Sequence, residues 1–192
     1  MTSATPVIRV MSSMATRQVL ADLAAAFEQQ TGLQAAIESV GGVDAARRVQ
    51  AGEVFDAVIL ASDAIDKLAA AGAVRAGSRV DLVRSGVAVA VRAGATLPDI
   101  ASEAAVRSAV LAAPSISYST GPSGVALAAL FERWGIAEQI RPRMVQAPPG
   151  VPVGSLVAKG EVALGFQQLS ELIHVQGITI VGPLPEDIQI IT

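Results

Sequence analysis

Short apolar runs alternate with stretches of helical period along this chain, and that alternation leaves few folds open. Val7–Met11 has strand character, and Ser12–Thr16 is a small, polar turn. Arg17–Gln30 places Val19, Leu20, Leu23, Ala24 and Phe27 on one helical face, with Gly32 positioned to end the helix. Leu33–Val40 reads as a second strand broken by Gly41-Gly42, and Asp44–Ala51 as a short helix stopped by Gly52. Phe55–Leu60, apolar apart from Asp56, reads as a strand covered on both faces. Ser62-Asp63 opens another helix that ends near Gly72. A β-α-β-α-β-α order builds parallel strands joined by helical crossovers.

After Arg84 the pattern restarts. Ser85–Val91, Ile116–Ser119, Met144–Gln146, Val162–Phe166 and Ile178–Val181 read as strands. Ser102–Ala112, Val125–Trp134, Val153–Lys159 and a short Ser170–His174 read as helices between or beside them. The proline-rich points, Ala147–Pro152 and Gly182–Pro185, are turns rather than a linker. Two βα blocks in one chain predict two lobes.

Composition excludes several function classes. Of the 192 residues 52% are hydrophobic and 16% charged, so a large core is within reach. Aromatics make up only 3%, a poor stacking surface for single-stranded nucleic acid. The net charge is −3 with no basic run, which argues against a duplex-binding face. There is no cysteine, and His174 is the one histidine, read as a surface position at the end of its short helix. A zinc site or a histidine-dependent triad therefore has no foundation, and no motif calls for a cofactor. Met1–Val10 lacks the basic-then-apolar pattern of a leader, so the expected location is the cytoplasm, or the periplasm after removal of a leader.

Three turns at strand ends are built from small residues: Ser12-Ser13-Met14-Ala15-Thr16, Gly41-Gly42-Val43-Asp44 and Gly121-Pro122-Ser123-Gly124-Val125. In open α/β sheets ligands sit beyond the carboxyl ends of strands, where helices begin and unpaired N–H groups offer partial positive charge. Helix capping alone also explains serine and threonine at such turns. A charge-assisted hydrogen bond nets about 1.5–3 kcal/mol, so four reach roughly the −8 kcal/mol of a micromolar anion site before costs. Gly121–Gly124 lacks the Lys-Ser/Thr of a P-loop and the glycine spacing of a dinucleotide fold. Arg17, Arg47, Arg48 and Arg84 fall near the expected mouth, and Arg17 and Arg47 are read in first helical turns, where a cation opposes the dipole and invites an anionic partner. Gln167-Gln168 follows a strand, where two amides either donate to a carboxylate or close the edge of the core.

The order and wording of these segments resemble the molybdate-binding protein family of ABC importers. Val10–Leu20, the helix to Thr31-Gly32, Gly41–Gly52 running into "ARRVQAGEVFDAVILAS", Asp63–Val74, Gly121–Gly135, Val162–Ser170 with "GEVALGF", and Ile178–Pro185 carry the likeness over nearly the whole chain. The resemblance implies a two-lobed α/β fold of the type II periplasmic-binding-protein kind, each lobe a mostly parallel sheet flanked by helices. It implies a first lobe of residues 1–82 plus 183–192, a second of 83–182, crossings near Val80–Ser85 and Val181–Pro185, and a ligand cleft between the lobes. It further implies a monomer that captures a small anion by hinge closure, with an ABC permease as a further partner. The ligand-binding set carried over or adjoining is Ser12, Ser13, Ala15, Thr16, Arg17, Gly42, Val43, Ser62, Thr120, Ser123, Gly124, Gln167 and Gln168. The chain departs from the family at Ala15, where a ligand serine is expected, at Gly41-Gly42-Val43, at Ser123-Gly124, and at Gln168 in place of a tyrosine. The backbone cradle is compatible with these exchanges while the hydroxyl set changes, which leaves a carboxylate-bearing ligand open beside an oxyanion such as molybdate. "FQQLSEL" and "GPLP" are similar to an offshoot of the family with aconitate isomerase activity. That resemblance implies proton transfer beside a carboxylate, for which Glu171 and Asp44 are the candidate bases, each equally readable as a surface or capping carboxylate.

Overall fold

The computed structural model describes residues 6–148 and 150–192. The first residues, read above as lacking a leader pattern, and Pro149 in the Ala147–Pro152 turn lie outside the described residues. The chain divides into two compact units, Met1–Val83 and Arg84–Thr192.

In the first unit, β1 (Val7–Ser13), α1 (Arg17–Thr31), β2 (Gln34–Val40), α2 (Gly42–Gln50), β3 (Ala57–Ile59) and α3 (Ser62–Ala70) follow in the order the periodicity predicts. The strands form one parallel sheet, ordered β2-β1-β3. Gly32 ends α1 in the left-handed conformation at φ 70°, and its N–H reaches Glu28 O, a helix stop that a side chain would strain. Met11 of β1, Ala45 and Val49 of α2, and Leu68 of α3 make the buried core on one face of the sheet. β3 departs from expectation. The run Phe55–Leu60 yields a three-residue edge strand in which Ala57 is exposed and Val58 half-buried. It is an outer strand of the three-stranded sheet, and with no fully buried residue it is not covered on both faces.

In the second unit, β4 (Val87–Arg92), α4 (Glu103–Ala112), β5 (Ile116–Tyr118), α5 (Pro122–Arg133), α6 (Ala137–Ile140), β6 (Met144–Gln146), α7 (Val153–Lys159), β7 (Leu164–Gln168), α8 (Leu169–Leu172) and β8 (Ile178–Pro183) build a five-stranded sheet, ordered β6-β5-β7-β4-β8. β6, β5 and β7 run parallel and β4 lies antiparallel to both β7 and β8, so four of the five strands share one direction and β4 opposes them. Residues 183–192, expected with the first lobe, belong to the second unit. Ser85 and Thr192 exchange backbone hydrogen bonds, Gly86 bridges Ile191, and Leu184 and Ile188 sink into the second core. The tail thus pairs antiparallel with Ser85–Val87, the segment that leads into β4.

The second core centres on Phe131, Leu127, Ile116, Ile136, Ile140 and Phe166, with the Phe131 ring edge-on to Phe166 at 6.1 Å. On the opposite face α7 comes close to the sheet because Gly165 has no side chain. A Cβ there would meet Val157 at 2.5 Å and Val153 at 3.0 Å. No helix among the described residues is long and apolar enough to cross a membrane.

Candidate anion-binding turns and a buried carboxyl

In the first unit the carboxyl ends of β1, β2 and β3 lie at one edge, because the three strands are parallel. The turn after each strand feeds a helical segment there. Gly42 adjoins Ser13: a Cβ on Gly42 would lie 3.8 Å from that of Ser13. The N–H of Ala45 returns to Gly41 O, which leaves the N–H groups of Gly42, Val43 and Asp44 as first-turn donors of α2. Ala64 and Ile65 both donate to Ala61 O, leaving Ser62 and Asp63 N–H at the start of α3. Val43 and the Ser62 side chain are exposed beside those donors.

The hydroxyls of this edge differ in availability. Ser12 and Thr16 are buried, and their Oγ atoms are 2.9 Å apart. Ser12 also reaches Ser13 O at 2.9 Å, and Thr16 reaches the same carbonyl at 3.3 Å. Each hydroxyl has one proton, so this triangle uses both internally and pins the short helical turn Met14–Thr16 under β1. Ser13, half-buried and without a side-chain hydrogen bond among the described residues, is the hydroxyl left open. Ala15, half-buried in the same turn, has only backbone to offer.

The arginines sort in the same way. Arg47 lies in the last turn of α2 rather than the first, and it pairs with Asp44 at 2.8 Å. Arg48 is clamped by Glu38 and Glu53, which hold its guanidinium charged and draw both carboxyls below their usual range through those hydrogen bonds. Arg17 does open α1, is exposed, and makes no ion pair among the described residues.

In the second unit β5 and β7 end side by side. Tyr118 pairs with Phe166, so the chain beyond each, Ser119–Ser123 and Gln167–Glu171, continues from the same edge. Gly124 allows the β5–α5 turn to close. A Cβ at that position would sit 1.8 Å from Ser119 O, so the backbone excludes any side chain. Pro122 has no N–H, and Gly124 and Val125 donate back to Gly121 O, leaving Ser123 N–H as the first-turn donor of α5. Ser123 is buried, with its Oγ 3.4 Å from that of Ser119, and Thr120 is exposed at the tip.

The two glutamines of β7 point to opposite faces, as successive strand residues must. Gln168 shares the face of Phe166, which packs on α5. It is 4% exposed, yet its amide makes no hydrogen bond among the described residues. Among the described residues the Ser117 hydroxyl is the fully enclosed side-chain polar atom without a partner, so the Gln168 amide is not a desolvated, unsatisfied group. It ends the strand whose Phe166 packs on α5 and is a further donor of this unit. Gln167 faces α7 and is fully engaged: its Oε1 accepts from Gly154 N at 3.2 Å, and its Nε2 donates to Glu171 Oε2 at 2.6 Å. The pair therefore does not act together. One amide braces the edge of the core and the other is free.

Glu171 is the residue that the sequence alone least defines. Burial pushes its carboxyl above the usual range, and the Gln167 amide pulls it only partly back. Among the described residues it has no cationic partner. Asp44, the other carboxylate considered as a base, is spent on Arg47. His174 is exposed just past α8, and no cluster of His, Asp and Glu among the described residues could hold a metal ion.

Comparison with known proteins agrees with this architecture. A Pseudomonas protein named aconitate isomerase is 41% identical over 193 residues, a match covering 96% of this chain and 72% of the relative. Among solved structures, the periplasmic molybdate-binding protein of Azotobacter vinelandii has a TM-score of 0.77 at 23% identity, over 96% of this chain and 81% of the other. A sulfate-binding protein of Mycobacterium tuberculosis has a TM-score of 0.71 at 18% identity, over 94% and 71%. Both share the fold, the two-lobed α/β architecture of type II periplasmic binding proteins. The model of the bacterial extracellular solute-binding protein family matches residues 8–192, and this chain belongs to that family.

Proposed function

We propose that this solute-binding-family protein is an isomerase of small tricarboxylates, interconverting the geometric isomers of an aconitate-like acid by moving its double bond. The observation that carries this reading is the 41% identity, over 96% of the chain, to a protein named aconitate isomerase. The site chemistry supports it. Within the first unit, Ser13 and the first-turn N–H groups of α2 and α3 are neutral, fixed donors suited to a carboxylate, and within the second unit Ser123 N–H and the Gln168 amide are donors of the same kind. Arg17 adds a cation at the same edge as the first set. In the reaction a methylene proton beside one carboxylate is removed, charge spreads over the conjugated acid, and the proton returns at the other end of the three-carbon unit. Fixed donors stabilise that transient charge.

Incubating the protein with trans-aconitate and following the cis isomer by proton NMR tests this directly. Appearance of the cis isomer at a rate proportional to protein supports the reading, and its absence overturns it.

A second reading is capture of a small anion for ABC-type import, with no chemistry. The backbone-rich, largely uncharged donor set favours it, since such a cradle fits an oxyanion as readily as a carboxylate. Calorimetric titration with molybdate, tungstate, sulfate, citrate and trans-aconitate separates the two. Tight binding of one anion without turnover of aconitate selects the second.

A further inference from the structure

We infer that Glu171 is the group that takes and returns the proton, with Gln167 as the residue that positions it. This rests on the isomerase reading above. Three observations carry it. The carboxyl stands at the carboxyl edge of the second sheet, on the helix that directly follows Gln168. Gln167 Nε2 donates to Oε2 at 2.6 Å, and the same amide is anchored through its oxygen to Gly154 N, while Oε1 makes no hydrogen bond among the described residues. Finally, it is a half-buried carboxyl with no ion-pair partner among the described residues, a costly arrangement for a residue with only a structural duty.

The ionisable side chains around α8 lie at its margins: Arg84, which precedes the Ser85 that hydrogen-bonds Ser170, is exposed and makes no ion pair among the described residues. β4 and β7 pack against α8, and over Val87–Val91 and Leu164–Gln168 they carry no ionisable side chain. Arg92 lies at the far end of β4 beside Gly160, Lys159 at the far end of α7 pairs with Glu161, and His174 is exposed beyond α8. Burial raises the proton affinity of Glu171 towards the range useful for general acid–base work. One carboxylate suffices for the chemistry. Oε1 accepts the proton as a methylene C–H bond breaks, the electron pair shifts into the conjugated carboxylate system, and the same Oε1 returns the proton to the carbon at the other end. The double bond has then moved one position, with no net gain or loss of atoms or electrons.

The experiment measures trans-aconitate turnover and binding by the full chain and its Glu171→Gln, Glu171→Asp and Gln167→Leu variants, with thermal unfolding as a control on folding. Glu171→Gln is expected to bind trans-aconitate within about threefold of wild type and to lose roughly 100-fold or more in kcat. Glu171→Asp is expected to regain part of that loss. In Gln167→Leu the acidic limb of the kcat/KM profile moves to higher pH, because the amide that favours the charged carboxylate is gone. Full activity in a folded Glu171→Gln overturns the assignment while the isomerase reading survives. A wild-type protein with no turnover overturns both. Equal loss in a folded Glu171→Asp and Glu171→Gln, with no movement of the Gln167→Leu limb, also overturns the assignment, since a structural role alone produces that result.

Discussion

The two units solve the same folding problem with unequal means. The second wraps α4, α5 and α6 over one face of a five-stranded sheet and encloses Phe131, Ile116, Leu127, Ile136 and Ile140 almost completely. The first has three strands and buries Met11, Ala45, Val49 and Leu68 on one side, while on the other α1 buries only Leu20 among the described residues. Val19, Leu23 and Phe27 on α1, the apolar stripe that marks the helix in the sequence, stay 38%, 50% and 37% exposed. An amphipathic pattern thus establishes that a helix forms and which face is apolar. It does not establish how much covers that face. The polar residues divide in the opposite sense. The buried hydroxyls of the first unit satisfy one another, whereas the second unit keeps a buried hydroxyl unpaired at Ser117 and a half-buried carboxyl without a cationic partner among the described residues at Glu171. The well-packed unit is the one that tolerates unpaired polar groups, because its core supplies the stability that such groups cost.

The largest expected effect tests the packing side of that contrast. Phe131→Ala should cost about 3–5 kcal/mol, and Leu23→Ala about 1 kcal/mol or less, read by chemical denaturation. A large loss from Leu23→Ala would show that the face of α1 is packed in solution and would end the contrast. The polar side predicts a crossed result. Gln168→Ala should weaken tricarboxylate binding by about 1.5–3 kcal/mol, tenfold or more, with the melting temperature nearly unmoved. Thr16→Val should do the reverse, costing about 1 kcal/mol of stability by breaking the pair with Ser12 while affinity holds. Calorimetry and thermal unfolding on the same two variants would expose an error in either assignment.

The fold was largely legible because strand and helix periods are local signals and Gly32, Gly52 and Gly72 punctuate them at positive φ. What escaped depended on partners far along the chain. The antiparallel β4 and the closure of Ser85 by Thr192 are pairings that no local pattern encodes. The site was legible as a set of turns but not as a set of roles. Ser12, Thr16 and Gln167 look like donors in sequence, and only their neighbours reveal that Ser13 O, Gly154 N and Glu171 already occupy them. Strand alternation could have separated Gln167 from Gln168 beforehand, since adjacent strand residues face opposite sides. The status of Glu171 is set by burial, which the short "LSEL" segment does not announce.

Ser117 sharpens the contrast from another direction. Its Oγ is enclosed on β5, on the Gly165 side of the sheet, and has no hydrogen-bond partner among the described residues. Ser117→Ala removes a desolvated hydroxyl and leaves no group unsatisfied. The expected gain is about 1 kcal/mol in denaturant unfolding, without change in binding. A loss instead would show that the hydroxyl has a bound partner in solution.

The smallest expected effect is a slope in pH. Because burial raises the folded-state pKa of Glu171 above its ordinary value of 4.5, the folded protein binds that proton more tightly than the unfolded chain does. The resulting stabilisation is fully present below the ordinary carboxylate pKa and is lost as pH rises through the higher folded value. Wild-type protein should therefore lose stability across that window to a greater extent than Glu171→Gln, whose amide does not titrate. Glu38, Glu53 and Glu103 pull the other way, since their hydrogen bonds to Arg48, Trp134 and Arg133 lower their folded pKa values and add stability as pH rises through the carboxylate range. Only the difference between wild type and Glu171→Gln isolates the buried carboxyl. Parallel stability–pH curves for the two proteins would mean that Glu171 is solvated in solution, and with that the second unit would lose half of what distinguishes it from the first.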